Sequence, residues 1–551
     1  MKHSLLAGVA LLCLGAPMAA QADDLAGASD GDTADIVVTG QRAQQERSID
    51  AKRAAIGVLD VAAADEIGQL PDRNVAEVIE HLPGVGVTYD QGEGRYVAIR
   101  GVPSNLNGYT LNGMELGNPD GNTRSLPLDI VSGQLLNRIE IAKVKTADMD
   151  GQGIGGTVNL VTQTAFDFKD RFNIGINAQA GYQELNKKVP VRGDLSLATR
   201  FGSDDQFGIV LGGSYSRRDF NSEGFYPDDW RPVAGLARGG APTNIKFTEY
   251  SLVRERIGAT GSFDWHPSDR QTFYVRGLYS KFTEDEVRPR YRLDFATDAI
   301  VNSAANWTVN PDGLTGTANG TERRVDLRLD YKAKEILTSE LGGSTDFGAL
   351  KLDYSGGYTR NKVLDSYKIW QFRCNPGIVD FNFTNPIYTA TPRTECTANQ
   401  LAFRQYQDYL QEGREEIWQG KVDATYDLGG DRGFLKVGAK YRSSDRRLDQ
   451  RNDTYAPASA TYRFSLGANN LQGADAIVYP DSSDTSRGYL NAPTIDPAKM
   501  LAFTAANFSN TNYFKLDAAT SLSNAVLNDF NLTEDVAAAY AMGNLKFGVV
   551  T

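Results

Sequence analysis

The sequence predicts a two-part chain: a compact α+β module followed by an antiparallel transmembrane β-barrel. Three observations predict it. The chain opens with an export signal. Residues 50–165 mix a helical period with short strands and tight turns. From Phe172 onward, long stretches alternate apolar and polar residues with a period of two, and the turns between them are alternately short and long.

The export signal sets the compartment. Met1-Lys2-His3 is short and basic, Leu5 to Leu14 is apolar, and Ala20-Gln21-Ala22 is a small-x-small cleavage site before Asp23-Asp24, so residues 1–22 are read as a signal peptide. The apolar run is too short to span a bilayer and carries export flanks, which outweighs the alternative of a buried first helix. Cys13 follows Leu12, where a lipid-modification site requires a small residue, and it is discarded with the signal. No later run reaches the ~18 apolar residues of a membrane helix, which excludes a helical inner-membrane protein. The net charge of -12 disfavours a nucleic-acid partner, because backbone binding requires a basic face.

Cys374 and Cys396 remain after signal removal, in an exported chain, and a disulfide between them is expected. A metal or redox pair would need more ligands, yet the mature chain offers only His81 and His266, far apart in sequence. No metal site, cofactor or catalytic constellation is predicted, and the chain is not read as an enzyme.

Residues 23–49 are read as a linker. Asp23 to Thr33 is rich in Asp, Ala and Gly, and then a β-prone run appears, Asp35-Ile36-Val37-Val38-Thr39-Gly40. A lone strand cannot fold by itself, but its open backbone suits addition to another protein's sheet edge. Further on, Asp72 is expected to cap a helix whose Val75, Val78, Ile79 and Leu82 share one face, with Pro83-Gly84 as its stop. Tyr96 to Ile99 alternates before Arg100-Gly101, and Asn112-Gly113 supplies a hairpin turn. Asp129 to Leu136 reads as a short helix, and Arg138 to Lys145 as a strand presenting Ile139 and Ile141. The module closes on Gly151-Gln152-Gly153-Ile154-Gly155-Gly156, followed by Thr157 to Thr162.

The order of Asp35 to Gly40, Leu82-Pro83-Gly84-Val85, Ile99-Arg100-Gly101, Leu111-Asn112-Gly113-Met114 and Gly155-Gly156-Thr157-Val158-Asn159-Leu160-Val161-Thr162 resembles the TonB-dependent receptor family. The resemblance implies that Asp35, Ile36, Val37, Val38, Thr39 and Gly40 form the TonB box, bound by the TonB protein of the inner-membrane energising complex. It implies that residues 50–165 are the plug domain, with Arg100, Gly101, Asn112, Gly113, Gly155, Gly156 and Asn159 as plug motif residues. It further implies an outer-membrane barrel of about 22 strands with lipid around it. The function implied is active uptake of a scarce large solute, a small molecule or an oligosaccharide, with carbohydrate or iron chelate favoured. Many relatives carry Arg-Gly-Pro where this chain has Lys143-Val144-Lys145-Thr146, which is similar to a proteobacterial subgroup with large barrels, part of it linked to carbohydrate uptake. Gly151, Gly153 and Gly156 also match a dinucleotide fingerprint, but that fingerprint opens a helix, whereas a Val, Leu and Thr rich strand is predicted here.

In the barrel segment, 166–551, Phe172, Ile174 and Ile176 alternate with Asn173, Gly175 and Asn177. Val325, Leu327, Leu329 and Tyr331 alternate with Arg324, Asp326, Arg328 and Asp330, and one face is expected to meet lipid while the other is charged. Short links at 202–206, 266–270, 347–349, 429–432 and Gly543-Asn544 are expected on the periplasmic side. Long loops near 219–248, 284–320, 361–414 and 443–530 are expected outside. Both cysteines fall in one external loop. Aromatics there and at Phe220, Phe225, Tyr226 and Trp230 are open to two readings: stacking on a ligand, or packing among loops and the membrane interface.

About ten complete strands are counted to Met542, with an eleventh from Leu545 cut at Thr551. The segment is therefore read as the N-terminal half of a barrel, truncated, and not functional alone, since unpaired strand edges in hydrocarbon are costly. A passive porin or adhesin would lack the coupling segment and plug. A signal-transducing receptor would need an extra periplasmic domain, for which the residues between Ala22 and Asp35 are too few.

Overall fold

A computed structural model describes residues 48–53, 55–63, 74–119, 123–295, 306–374, 376–430, 432–465, 477–478 and 494–545. The signal peptide and Asp35 to Gly40 lie outside the described residues, as does Asp72.

The α+β module contains β1 (Leu59–Ala63), α1 (Val75–Glu80), β2 (Val85–Asp90), β3 (Glu93–Ile99), β4 (Gly108–Leu111), β5 (Met114–Glu115), β6 (Leu136–Ala142) and β7 (Thr157–Thr162). Five of these strands form one sheet in the order β1-β6-β7-β4-β5, parallel only between β4 and β7, while β2 and β3 make a separate hairpin. The period of two in β6 and β7 directs Ile139, Ile141, Val158 and Leu160 to one side, where they are buried with Val75, Val78 and Ile79 of α1. That helix is capped by Asn74, whose side chain accepts from the Glu77 amide at 3.2 Å. The helix expected at Asp129 to Leu136 is a 3-10 turn, Gly133–Leu135, that runs straight into β6. Pairing of Leu136 with Thr162 draws the segment into the sheet before a helix can propagate.

The remainder is a meander of long antiparallel strands. In chain order these are β8 (Phe172–Ala180), β9 (Val191–Phe201), β10 (Phe207–Pro232), β11 (Gly240–Ser268), β12 (Gln271–Asp294), β13 (Trp307–Val309), β14 (Thr315–Asp346) and β15 (Leu350–Arg373). They continue with β16 (Gly377–Asn382), β17 (Thr389–Pro392), β18 (Ala402–Asp427), β19 (Gly433–Ala456), β20 (Ile477–Val478) and β21 (Thr494–Ile495). Helices α2 (Pro497–Asn507) and α3 (Ala518–Val526) flank β22 (Lys515–Leu516), and β23 (Phe530–Leu545) closes the series. Ten of them, β8 to β12, β14, β15, β18, β19 and β23, lie side by side in a 14-stranded sheet completed by the short strands β13, β16, β17 and β22. Among the described residues β8 and β23 are its open edges. The architecture is thus an α+β domain followed by a partial antiparallel barrel.

The strands are longer than the sequence reading allowed. Residues 219–248, expected as a loop, are mostly ladder: Asp219 pairs with Val253, and pairing continues to Pro232 with Gly240. Likewise Gly543 and Asn544, expected as a turn, pair with Leu435 and Phe434 inside β23, so any eleventh strand falls outside the described residues. The polar residues that made these segments resemble loops form one face of the extended sheet.

The outward face has two zones. Lower down, Ile176, Leu211, Ile257, Val275, Leu341, Trp418 and Val437 are exposed, as a lipid-facing band requires. Higher up, Val325 and Leu327 do not meet lipid: both are fully buried. Phe247, Tyr291, Val325, Phe372 and Phe403 pair in a row across five strands, and external segments bearing Trp307, Phe381, Phe464, Phe503 and Phe514 cover that row. Apolar area that would otherwise face water is buried by these segments instead.

The lumen and the seat of the plug

The inward face of the meander is identified by what touches the α+β module. The Asn112 amide donates to Glu340 of β14 at 3.2 Å. Thr359 and Asn361 of β15 donate to the carbonyls of Glu115 and Leu116 at 3.2 and 2.9 Å. Glu415 of β18 accepts from the Asn118 amide at 2.6 Å. Residues of the same parity on each strand therefore line the lumen.

Edge strand β5 would expose unpaired backbone, and the wall supplies side-chain partners. Gln419 accepts from the Glu115 N–H at 3.0 Å and donates to its carbonyl at 3.0 Å, so one side-chain amide stands in for a neighbouring strand. Lower down, Lys436 pairs with Asp148 at 2.5 Å and Lys440 with Asp150 at 2.7 Å, while Arg442 pairs with Glu115. Ser280 donates to the Ile130 carbonyl at 2.7 Å. Leu135 fits against wall positions Gly212 and Gly258, where a Cβ at Gly258 would stand 2.7 Å from the Leu135 Cδ1. Between the Asn112-Gly113 turn and the wall lies a cavity of about 300 Å³ lined by Asp264, His266, Tyr274, Arg276 and Asp423.

The most heavily charged contact is at Glu93, where β3 begins. It is 1% exposed and meets three wall guanidiniums, Arg218 at 2.5 Å, Arg256 at 2.7 Å and Arg254 at 2.8 Å. Arg254 is equally buried and also holds Glu284 at 2.6 Å. Burial alone would raise the Glu93 carboxyl, but Arg256, Arg254 and Arg218 outweigh it and hold the group well below the ordinary carboxylate range. Sequence reasoning missed this node, since Gln91-Gly92-Glu93 is an ordinary turn and its partners lie more than a hundred residues away.

The motif residues are gathered inside the module. Asn112 (φ 51°) and Gly113 (φ 85°) make the turn between β4 and β5, in the left-handed region that favours Asn and Gly. Asn159 fastens that turn: it accepts from Thr110 at 2.8 Å and from the Gly113 N–H at 2.9 Å and donates to Glu140 at 2.8 Å. Gly155 and Gly156 allow close approach, because Cβ atoms there would stand 2.8 Å from the Val102 Cβ and 2.8 Å from the Ala142 carbonyl. Arg100 and Gly101 follow β3, and the Arg100 guanidinium reaches the carbonyls of Lys143 and Gly155. Strand β7 follows the glycine cluster directly.

Beyond the end of β15, Cys374 and Cys396 are joined, their Cα atoms 6.5 Å apart. Trp370, Phe372, Phe381, Phe383 and Tyr388 are buried in the outward-facing loop core, whereas Tyr226 and Trp230 are more than a third exposed. Phe220 faces inward and packs beneath Arg218, 3.9 Å from its ring centre.

A folded domain seated against one face of an antiparallel strand meander, through polar and ionic contacts and an apolar patch with Leu278, Phe282 and Ile336, defines a plug-and-barrel arrangement. Residues 51–157 match the TonB-dependent receptor plug domain. Similar solved structures include BauA, the ferric preacinetobactin receptor of Acinetobacter baumannii, at 15% identity and a TM-score of 0.36, covering 73% of this chain and 62% of that one. They also include a mutant of the Pseudomonas aeruginosa ferric enterobactin receptor PfeA, at 10% identity and a TM-score of 0.33, covering 74% of this chain and 79% of that one. The outer membrane transporter YddB from Escherichia coli matches at 9% identity and a TM-score of 0.29, over 72% of this chain and 74% of that one. The chain spans 62% of the length of BauA.

Proposed function

We propose that the protein resides in the outer membrane and takes up a scarce solute too large for porins, a carbohydrate or an iron chelate, by moving its plug under load from TonB. Asp35 to Gly40 is the segment that pairs with TonB, as an added strand on its sheet. The observation that carries this reading is the character of the plug seat. Glu93, Asp148 and Asp150 are held by wall cations, and β5 is held by wall side chains. Polar contacts of this kind can exchange for water when the plug shifts, at lower cost than the apolar patch against Leu278, Phe282 and Ile336.

Deletion of Asp35 to Gly40 from the full-length gene tests this. Solute binding to cells is expected to persist while uptake falls to background. Uptake at the undeleted rate would overturn the proposal.

A further inference from the structure

Three cations stand at one height on the outward face of neighbouring strands. Lys362 lies twelve residues along β15 from Leu350, Arg414 twelve along β18 from Tyr426, and Arg447 twelve along β19 from Leu435. Leu350, Tyr426 and Leu435 are exposed where these strands meet their short turns. From there the outward positions carry no charge until Arg360, Glu416 and Asp445, ten residues along. At about 3.3 Å per residue and a tilt of about 40°, ten residues climb about 25 Å and twelve about 30 Å, the heights of a barrel's apolar band and of the hydrocarbon core. Lys362, Arg414 and Arg447 therefore stand where lipid headgroups begin.

In the ladder these cations are direct neighbours. Lys362 is opposite Arg414, and Arg414 is opposite Arg447. Like charges in that arrangement destabilise a sheet unless an anion lies between them. All three side chains are exposed. The acids near them lie in the adjoining rows: Arg414 holds Glu416 at 2.6 Å, Arg447 is 3.4 Å from Asp449, and Asp445 accepts from Thr533 at 2.7 Å. One step further along, Glu412 faces Asp449. Lys362 and Arg360 have no ion-pair partner among the described residues.

On the side of the short turns the row borders an aromatic girdle. Tyr358 and Trp418 pack with ring centres 4.5 Å apart, and Tyr441 is exposed on the next strand; rings of this kind sit at a membrane interface. Beyond the girdle Gly356 faces Gly420, and a Cβ at either would meet no atom nearer than 3.8 Å. That leaves a shallow strip in which an acyl chain can lie against the wall.

We infer that Lys362, Arg414 and Arg447, with Arg360 at their edge, bind a membrane lipid that carries more than one phosphate. The row spans two strand spacings, about 10 Å, which is wider than one phosphate. Guanidinium groups take phosphate oxygens in pairs, and bound phosphate removes the cost of the like-charged row. The girdle and the uncharged strip beside the cations favour a lipid over a soluble anion. This inference rests on the membrane part of the uptake reading and not on its cargo.

The test uses the full-length gene product in bilayer discs of neutral lipid doped with a bis-phosphorylated glycolipid, and in matched discs doped with the same glycolipid stripped of phosphate. Lipid retained after transfer to mild detergent is counted by native mass spectrometry. The phosphorylated form is expected to be retained and the stripped form lost. Lys362→Ala with Arg414→Ala should lower retention about tenfold or more. Lys169→Ala with Lys351→Ala, an equal loss of charge away from the row, should leave it unchanged. Equal retention of the two lipids, full retention in the Lys362→Ala, Arg414→Ala protein, or displacement of the lipid by an equal concentration of inorganic phosphate would overturn the inference. The comparison of the two lipids needs no variant, so it decides the matter even where the alanine pair fails to fold. Entry into the discs without lipid preference would sink this inference alone, whereas a protein that enters no bilayer would refute membrane residence itself.

Discussion

Replacing Glu93 by alanine should loosen the seat of the plug while leaving the plug itself folded. Glu93 is the carboxylate on which Arg218, Arg254 and Arg256 converge, and its removal leaves cations buried in the wall with fewer partners. Removing one partner of a buried pair costs ~3–5 kcal/mol, and because Arg254 keeps Glu284 at 2.6 Å the lower end applies, about 3 kcal/mol. That is a shift of roughly 100-fold in the docked-to-undocked balance. Hydrogen exchange reads it residue by residue: amides of β3 should lose protection by about that factor, and those of β7, deep in the plug sheet, should not. The pH dependence follows from the lowered carboxyl of Glu93. Its contribution is complete above the ordinary carboxylate pKa of about 4.3 and is lost as pH falls toward the depressed folded value. Glu93→Gln should lack that acid-dependent component. Unchanged protection across Glu93–Ile99 in the alanine variant would refute the view that this cluster anchors the plug.

Other consequences are equally specific. Asn159→Ala removes the anchor of the Asn112-Gly113 turn and three hydrogen bonds; it should lower plug stability by about 2 kcal/mol, and an unaltered plug unfolding transition in urea would contradict that. Gly155→Val places side-chain atoms against Val102 and Asn107 and should cost about 3 kcal/mol, seen as faster limited proteolysis within 51–157, whereas wild-type resistance would count against the close packing. Opening the Cys374–Cys396 bond, 22 residues apart in sequence, with Cys396→Ser should release about 3 kcal/mol of loop restraint. The external loop should then be nicked faster by protease while the barrel strands are not, and equal rates would contradict this.

What was legible in the sequence follows from locality. The Asn112-Gly113 turn, the alternation of β6 and β7 and the period of two in β8 are each set by neighbours a few residues apart, and all appear where the sequence placed them. The antiparallel meander of about ten strands was visible for the same reason. Strand length was not. Asp219, Asn221, Ser222 and Glu223 look like loop composition unless their partners on β11 are known, and those partners lie some 30 residues away. Val325 and Leu327 looked lipid-facing because the pattern shows which face is apolar but not what covers it. Glu93 and the Gln419 amide had no local signal at all, since their roles exist only once plug and wall meet.

Movement of the plug against the wall can be tested with a reversible lock. A Cβ at Gly357 would lie 3.5 Å from the Met114 Cγ, so Met114→Cys with Gly357→Cys places a disulfide between the β4–β5 hairpin and β15. With the pair oxidised, uptake should stop while solute binding continues, and reductant should restore uptake, with the wild-type protein under the same reductant as the reference. Transport at the wild-type rate with the cross-link formed would contradict a plug that must move.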